Sequence, residues 1–256
     1  MLAFLLFACS DPPTVEVTVV DAWDKPIEGA QVRQETVTES FVTDGDGVTR
    51  LPAEVGTLHL MAGKDGYIKD FAVVTILEGQ EEGQSVRLAL YPEPETTGFY
   101  AVGGKAYEPL EEAAISVVES EMSTYHGIKN LPKTTFHSGG DPARFVFKTT
   151  LTNNEIKRQD LKLSKLEYLD EAEVTGLLGP ETVKLSLYVA DTDAEFSFKG
   201  LQSQDEYLIV TQDTLEPGVY AFHAQGILHT TENDALEKLP ESMQVAFPFE
   251  VKGGGK

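Results

Sequence analysis

Apolar and polar side chains alternate along most of this chain, and that alternation constrains the fold more than any other feature. Val15, Val17 and Val19 are separated by polar residues. Successive side chains of a β-strand point to opposite faces, so the pattern predicts a strand with one face in a core. The pattern recurs at short intervals as far as Val251, with Gly, Pro and Asp residues between the runs. The sequence therefore predicts an all-β protein built as sandwiches, the first of them antiparallel.

The chain is long enough, at 256 residues, for two ordinary domains. Residues 93–97 (EPETT) combine proline with acids and lack apolar periodicity, which is typical of a stiff linker. We therefore expect a first sandwich over residues 14–92 and a second all-β domain over residues 98–251. The glycine-rich residues 252–256 are expected to form a flexible tail.

Four segments of the first domain carry a resemblance to a known family. Residues 19–21 (VVD), 26–32 (PIEGAQV), 43–47 (TDGDG) and 64–67 (KDGY) resemble the carboxypeptidase regulatory-like family. The resemblance implies a transthyretin-like sandwich of seven strands and a module without catalytic activity. Residues 43–47 predict a hairpin turn. A calcium loop is the alternative, but its twelfth position is Val55, with Glu54 one place early.

The second domain contains one motif that favours a particular sandwich type. Residues 215–222 (LEPGVYAF) resemble the corner of immunoglobulin-like sandwiches, which implies that the Tyr220 hydroxyl bonds back to the preceding turn. We expect a second fold that is immunoglobulin-like or related. Residues 161–173 fit either a strand or a short helix, and residues 231–239 predict a short capped helix.

The amino terminus predicts where the protein is located. Residues 1–8 are apolar, end at the single cysteine, Cys9, and are followed by the polar residues 10–13 (SDPP), which we expect to form a tether. A transmembrane helix needs about 20 apolar residues, whereas a signal-peptide core can be as short as about 7. Residues 6–9 (LFAC) resemble the lipobox of bacterial lipoproteins, with Leu6 and Ala8 at matching positions.

The lipobox resemblance implies that residues 1–9 are a signal segment ending at the lipid attachment site, Cys9. It implies a protein of the bacterial cell envelope that contacts the membrane through palmitate-type acyl chains. Ser10 resembles the sorting residue of outer-membrane lipoproteins. Three alternatives remain for Cys9: a buried thiol, an intermolecular disulfide, or an ordinary secretory signal cut at another residue.

The charge of the chain excludes some classes of partner. Asp and Glu number 42 against 20 Lys and Arg, for a formal net charge of -22. Such a surface repels phosphate backbones and anionic head groups, so we expect neither nucleic-acid binding nor polybasic membrane docking.

No residue pattern in the chain predicts a catalytic, metal or cofactor site. His59 and His223 fall in strand-like segments, whereas His126 and His137 flank a stretch that we expect to be a long loop. His229 is the fifth histidine. Such a loop is the most favourable place for a functional patch. Residues 191–195, with Asp191, Asp193 and Glu195, fit a charged turn, and a calcium site is the alternative.

These observations predict a non-catalytic structural or interaction module with an unknown protein or glycan partner. The first alternative is a carbohydrate-binding lipoprotein, which would need Tyr100, Tyr107 and Tyr125 to cluster, since Trp23 is the only tryptophan. The second is a hydrolase whose site in the second domain gathers His126 or His137 with an acid.

Overall fold

The chain folds as all-β sandwiches, as predicted. The computed structural model describes residues 14–78, 84–120, 124–138, 141–176, 179–201, 205–228 and 244–253. Within these ranges no helix has the length and apolar character needed to cross a bilayer. Two compact units are present, one that ends at Glu93 and one that begins at Pro94.

The first unit is a sandwich of two four-stranded sheets. One sheet has the order β4-β1-β8-β6 and the other has the order β3-β2-β5-β7. The eight strands are β1 (Thr14–Asp21), β2 (Gln31–Gln34), β3 (Ser40–Val42), β4 (Val48–Pro52), β5 (Gly56–Gly63), β6 (Tyr67–Ile68), β7 (Asp70–Ile76) and β8 (Gln84–Pro92).

The alternating apolar residues of both sheets form one core. Val15, Val17, Val19 and Leu60 are fully buried, and they pack in the same cluster as Leu88. Each fully buried aliphatic side chain contributes about 1.5–3 kcal/mol relative to exposure. The period-two pattern therefore identified this core.

The prediction that the sandwich is wholly antiparallel is wrong at one position. Strands β1 and β8 run parallel, with Val15 opposite Gln84 and Asp21 opposite Leu90. Parallel neighbours need a long crossover connection. Because β1 and β8 are the first and last strands of the unit, the six strands between them supply that connection.

The turn at residues 43–47 is present, but it does not form a hairpin. It joins β3 to β4, which belong to different sheets. The Asp44 carboxylate accepts hydrogen bonds from the backbone of Asp46 and Val48 at 3.0 and 2.9 Å. Gly47 has φ +73°, and a Cβ there would lie 2.5 Å from the carbonyl oxygen of Val19. The Val19 N–H donates to the Gly47 carbonyl at 2.8 Å, which continues the antiparallel pairing of β1 with β4. The close approach of these two backbones within one sheet therefore fixes this turn.

The second unit contains a five-stranded and a six-stranded sheet, and a separate hairpin of β12 and β13. The orders are β10-β9-β15-β19-β18 and β11-β21-β20-β16-β17, with β14 added beside β21. Its strands are β9 (Gly98–Val102), β10 (Tyr107–Pro109), β11 (Ala113–Ala114), β12 (Ser116–Glu119), β13 (Thr124–Gly127), β14 (Thr135–Ser138), β15 (Arg144–Lys148), β16 (Leu161–Gly176), β17 (Gly179–Asp193), β18 (Phe196–Gly200), β19 (Glu206–Thr211), β20 (Gly218–Ala224) and β21 (Val245–Gly253).

Aromatic side chains from the two sheets fill the core between them. Phe145 of β15 lies with its ring centroid 4.9 Å from that of Phe222 of β20 and 5.3 Å from that of Phe249 of β21. All three rings are at most 1% exposed. Edge-to-face and tilted aromatic pairs of this kind stabilise a core beyond the area that they bury.

Several boundaries differ from the predicted ones. Residues 161–173 lie within the long strand β16, and the helix α1 (Asn153–Gln159) precedes it. Thr152 caps α1 through a capping box with Glu155. The predicted tail begins inside β21, which continues to Gly253 because its end pairs with β14. Residues 231–239 lie outside the described residues.

Candidate functional site

The predicted lipid attachment site lies outside the described residues. Cys9, Leu6 and Ala8 precede Thr14, where the described chain begins. Val15, the second residue of β1, is already fully buried. The predicted tether of residues 10–13 therefore leads directly into a core strand.

His126 and His137 lie on the two strands that flank the predicted loop, and the connection between these strands is short, covering residues 128–134. His126 lies on β13 and His137 lies on β14, where it is opposite Lys252. His126 is 3% exposed and its Nδ1 has no hydrogen-bond partner. Burial lowers the pKa of its imidazole. His229 lies outside the described residues.

A buried serine and histidine form the main polar cluster of the second unit. The Ser164 hydroxyl lies 2.8 Å from Nε2 of His223 and donates to the Asp193 carboxylate at 2.6 Å. Nδ1 of His223 faces the backbone carbonyl of Ala224 at 2.8 Å. Ser164 is fully buried and His223 is 5% exposed, whereas Asp193 is exposed.

The pairing of β16 with β20 positions this cluster. Lys162 of β16 is opposite His223 of β20, and Ser164 is opposite Ala221. Asp193 ends β17, where it is opposite Ser164. Sequence reasoning missed the cluster because Ser164 and His223 are separated by 59 residues and only the strand pairing joins them. We find no local motif that could have revealed it.

The cluster has the residue types of a hydrolase triad but a different connectivity. In a triad, the acid holds the histidine nitrogen remote from the serine, and the serine oxygen faces the substrate. Here the acid contacts Ser164 itself, and a backbone carbonyl occupies the remote nitrogen of His223. Ser164 is also fully buried. This arrangement satisfies buried polar groups and does not present a nucleophile.

Opposing effects act on the protonation of His223. Burial lowers the pKa of its imidazole, and this effect is the largest. The carbonyl of Ala224 and the carboxylate of Asp193 raise the pKa, while Lys162 lowers it. The net direction is a lowered pKa, so the neutral ring is favoured near pH 7.

A small apolar cleft of about 210 Å³ lies beside His223. Phe99, Phe147 and Phe247 form its aromatic wall, and Lys148 and Glu112 contribute polar groups. Lys148 is paired with Glu206 at 3.3 Å and donates to the carbonyl of Pro94. Small-molecule sites usually measure about 300–1,000 Å³. The cleft is smaller than that range, and its cation, Lys148, already contacts Glu206 and the carbonyl of Pro94.

The candidate calcium residues are only partly in a turn. Asp191 and Asp193 lie within β17, and Glu195 lies between β17 and β18. The Asp193 carboxylate accepts from Ser164. In the described parts of the chain, no three His, Cys, Asp or Glu side chains gather as a metal site would require.

The three tyrosines of the carbohydrate alternative do not form one platform. Tyr100 and Tyr107 contact each other, with ring centroids 5.7 Å apart. Tyr125, on β13, packs instead against the cluster that contains Leu187. The structure therefore brings together two of the three.

Tyr220 is buried, as the predicted corner motif requires, at 4% exposure. Burial raises the pKa of its hydroxyl; Lys165 and a hydrogen bond with the backbone of Glu216 lower it. Glu216 lies in the turn before β20, so this bond runs back along the chain in the expected direction.

The sequence matches no protein-family model and no curated protein. Among solved structures, the chain is similar to the Bacillus anthracis TIE protein, with 11% identity over 95% of this chain and a TM-score of 0.27. The chain spans about half (49%) of that protein's length.

Two further solved structures are similar at the same low level. A DUF3823 family protein from Parabacteroides merdae shares 10% identity, with 94% of this chain and 100% of the other covered, at a TM-score of 0.23. A protein of unknown function with a suspected membrane association, from Bacteroides fragilis, shares 12% identity, with 78% and 94% covered, also at a TM-score of 0.23. At such scores, fold and function have to be inferred from the chain's own residues.

Proposed function

We propose that this chain is an exported bacterial lipoprotein that is anchored through Cys9 and acts as a non-catalytic structural or interaction module. The observation that carries the proposal is the position of the single cysteine. Cys9 follows Leu6 and Ala8 in a lipobox-like segment and precedes the first strand residue, Thr14, by only five positions.

The short tether limits the distance between the first unit and the membrane. An extended chain advances about 3.3–3.6 Å per residue, so Cys9 and Thr14 would lie at most about 18 Å apart. The first unit would therefore be held close to the membrane surface. Two or more acyl chains, at about 0.8 kcal/mol per buried methylene, would make this attachment stable where a single chain would not.

The connectivity around Ser164 supports a non-catalytic role. The Ser164 hydroxyl is fully buried and bonded to an acid, and His223 is held by a backbone carbonyl. We retain as a proposal the resemblance of residues 19–21, 26–32, 43–47 and 64–67 to the carboxypeptidase regulatory-like family, and it implies the same role. Ser10 supports placement in the outer membrane of the cell envelope.

Palmitate labelling tests the anchor. The protein, expressed in its native host from its own locus, should incorporate radiolabelled palmitate and partition with membranes. Cys9→Ser should abolish the label, because the diacylglycerol is transferred to a thiol and serine has none. Ser10→Ala, next to the acylated residue, is the matched control and should retain the label. Equal labelling of wild type and Cys9→Ser would rule out the anchor.

A further inference from the structure

The outer face of the β3-β2-β5-β7 sheet carries a groove of about 550 Å³, lined by three cationic side chains, Arg33, Lys64 and Lys69. We call it the cationic groove. Its single acid is Asp65. The other lining residues are small or polar, apart from one methionine: Gly29, Gln31, Thr38, Ser40, Met61 and Gly63.

Positive charge is concentrated in this groove although the unit as a whole is acidic. Residues 14–93 contain fifteen Asp and Glu but only six Lys and Arg. Among the residues that the structure describes, two of the six pair with acids, Arg50 with Glu16 and Arg87 with Asp24. Three of the remaining four line the groove. Like charges repel, so this concentration favours an anionic occupant that offsets the repulsion.

The fold positions each cation without neutralising it. The Lys64 ammonium donates to the carbonyl of Glu28 at 2.7 Å, and Nη2 of Arg33 lies 3.9 Å from the sulfur of Met61. The Lys69 stem lies over Gly63, where an added Cβ would be 3.2 Å from Cγ of Lys69. Among the described residues, none of the three cations pairs with a carboxylate.

The floor of the groove indicates which anion fits. Its central strand β2 is hydrogen-bonded to β3 on one side and to β5 on the other, so the backbone of β2 has no free edge that could pair with a peptide strand. The polar side chains on the floor and rim, Gln31, Thr38 and Ser40, offer amide and hydroxyl groups that suit sugar hydroxyls.

We infer that the cationic groove binds an anionic oligosaccharide. Arg33 and Lys69 contact its acidic groups, and the floor side chains bind its hydroxyls. This inference rests on the proposed function as an interaction module, and it supplies the chemistry of the partner.

The groove and the entry point of the tether lie at different ends of the first unit. Thr14, where the tether enters the fold, pairs with Pro52, at the end of the sandwich where β5 begins at Gly56. The groove lies toward the other end of β5, beside Gly63. Over the eight residues of β5, these ends are separated by roughly 23 Å, at about 3.3 Å per residue. The groove therefore lies toward the end of the unit that is remote from the proposed anchor.

Titration calorimetry of the purified full chain in detergent tests this inference with three probes of similar length. Tetragalacturonate should bind, whereas neutral maltotetraose should not. Tetraglutamate, which has the charge but not the sugar hydroxyls, should bind at least tenfold more weakly than tetragalacturonate. Tetragalacturonate binding should weaken as salt is raised from 50 to 300 mM, since ions screen the charges.

A charge-matched pair of variants locates the site. Arg33→Gln with Lys69→Gln should weaken tetragalacturonate binding at least tenfold. Lys25→Gln with Arg50→Gln removes the same charge outside the groove and should change binding less than twofold at 150 mM salt, where the screening length is about 8 Å. All four side chains are exposed, so the melting temperatures should match.

Failure to bind tetragalacturonate, equal binding of tetraglutamate, or equal loss in the two double variants would overturn the inference. None of these results depends on acylation of Cys9. A result against oligosaccharide binding in the groove can therefore be distinguished from a result against the lipid anchor, because palmitate labelling tests the anchor separately.

Discussion

His223 shows, at the scale of single residues, how a buried polar group depends on its neighbours. Its two ring nitrogens face Ser164 and the carbonyl of Ala224 at 2.8 Å each. A hydroxyl has one proton, and Ser164 donates that proton to Asp193. The hydrogen bonds would therefore suit a charged ring, but burial opposes the charge and prevails.

This balance predicts a dependence of stability on pH. The pKa of His223 in the folded chain is lowered below the unfolded value, about 6.5. The folded chain therefore binds fewer protons there, so the stability is full above pH 6.5 and is lost as the pH falls below that value. The free energy of unfolding, measured by denaturant titration, should decrease between pH 7 and pH 5.

His223→Gln should reduce that slope, and His126 should account for a remaining part, because burial also lowers its pKa. His59→Gln, at an exposed position on β5, is the comparison variant for the loss of an imidazole. An unchanged slope in His223→Gln would contradict the protonation described here.

The residue scale is also where sequence reasoning failed most. The Ser164 cluster depends on β16 pairing with β20, and local spacing carries no information about that pairing. The cationic groove likewise joins Arg33 to Lys69, which are remote in sequence and meet only because β2 pairs with β5. Contacts of this kind become visible only after the sheets are assembled.

At the scale of elements, a close contact between β13 and β17 attaches the β12–β13 hairpin to the six-stranded sheet. Ile128 and Tyr188 exchange backbone hydrogen bonds at 2.9 and 2.8 Å. Gly127 precedes this bridge, and a Cβ there would lie 2.6 Å from the carbonyl oxygen of Tyr188. The contact therefore requires a residue without a side chain.

Gly127→Ala should destabilise the chain by about 1–3 kcal/mol, because the added methyl forces the two backbones apart. Gly104→Ala is the matched control, since a Cβ there would meet no atom within 4 Å. Denaturant unfolding of the two variants measures the difference. Equal stability of Gly127→Ala and Gly104→Ala would show that the hairpin is not held by this contact.

The elements themselves were predictable where the apolar alternation was long. The prediction found β1 of the first unit, because Val15, Val17 and Val19 are three apolar residues in strict alternation with polar ones. It missed β13 and β14, which have four residues each, too few to show a period. It also missed α1, whose seven residues have a capping box but no apolar stripe.

At the scale of the whole molecule, the all-β class followed from the sequence, but the arrangement of the strands did not. The parallel pairing of β1 with β8 and the transfer of the chain between sheets at Gly47 depend on packing between segments far apart in sequence. The net charge of -22 predicted the repulsion of nucleic acids but could not locate the cationic groove. Total charge is independent of where the charges lie.

The central proposal is that a lipid on Cys9 anchors the protein to a membrane. Intact mass spectrometry of the protein isolated from the membrane fraction of its native host tests it most directly. The account predicts a mature chain that begins at Cys9 and carries diacylglycerol on the thiol. A chain recovered from the cytosol with residues 1–8 attached and Cys9 unmodified would contradict it.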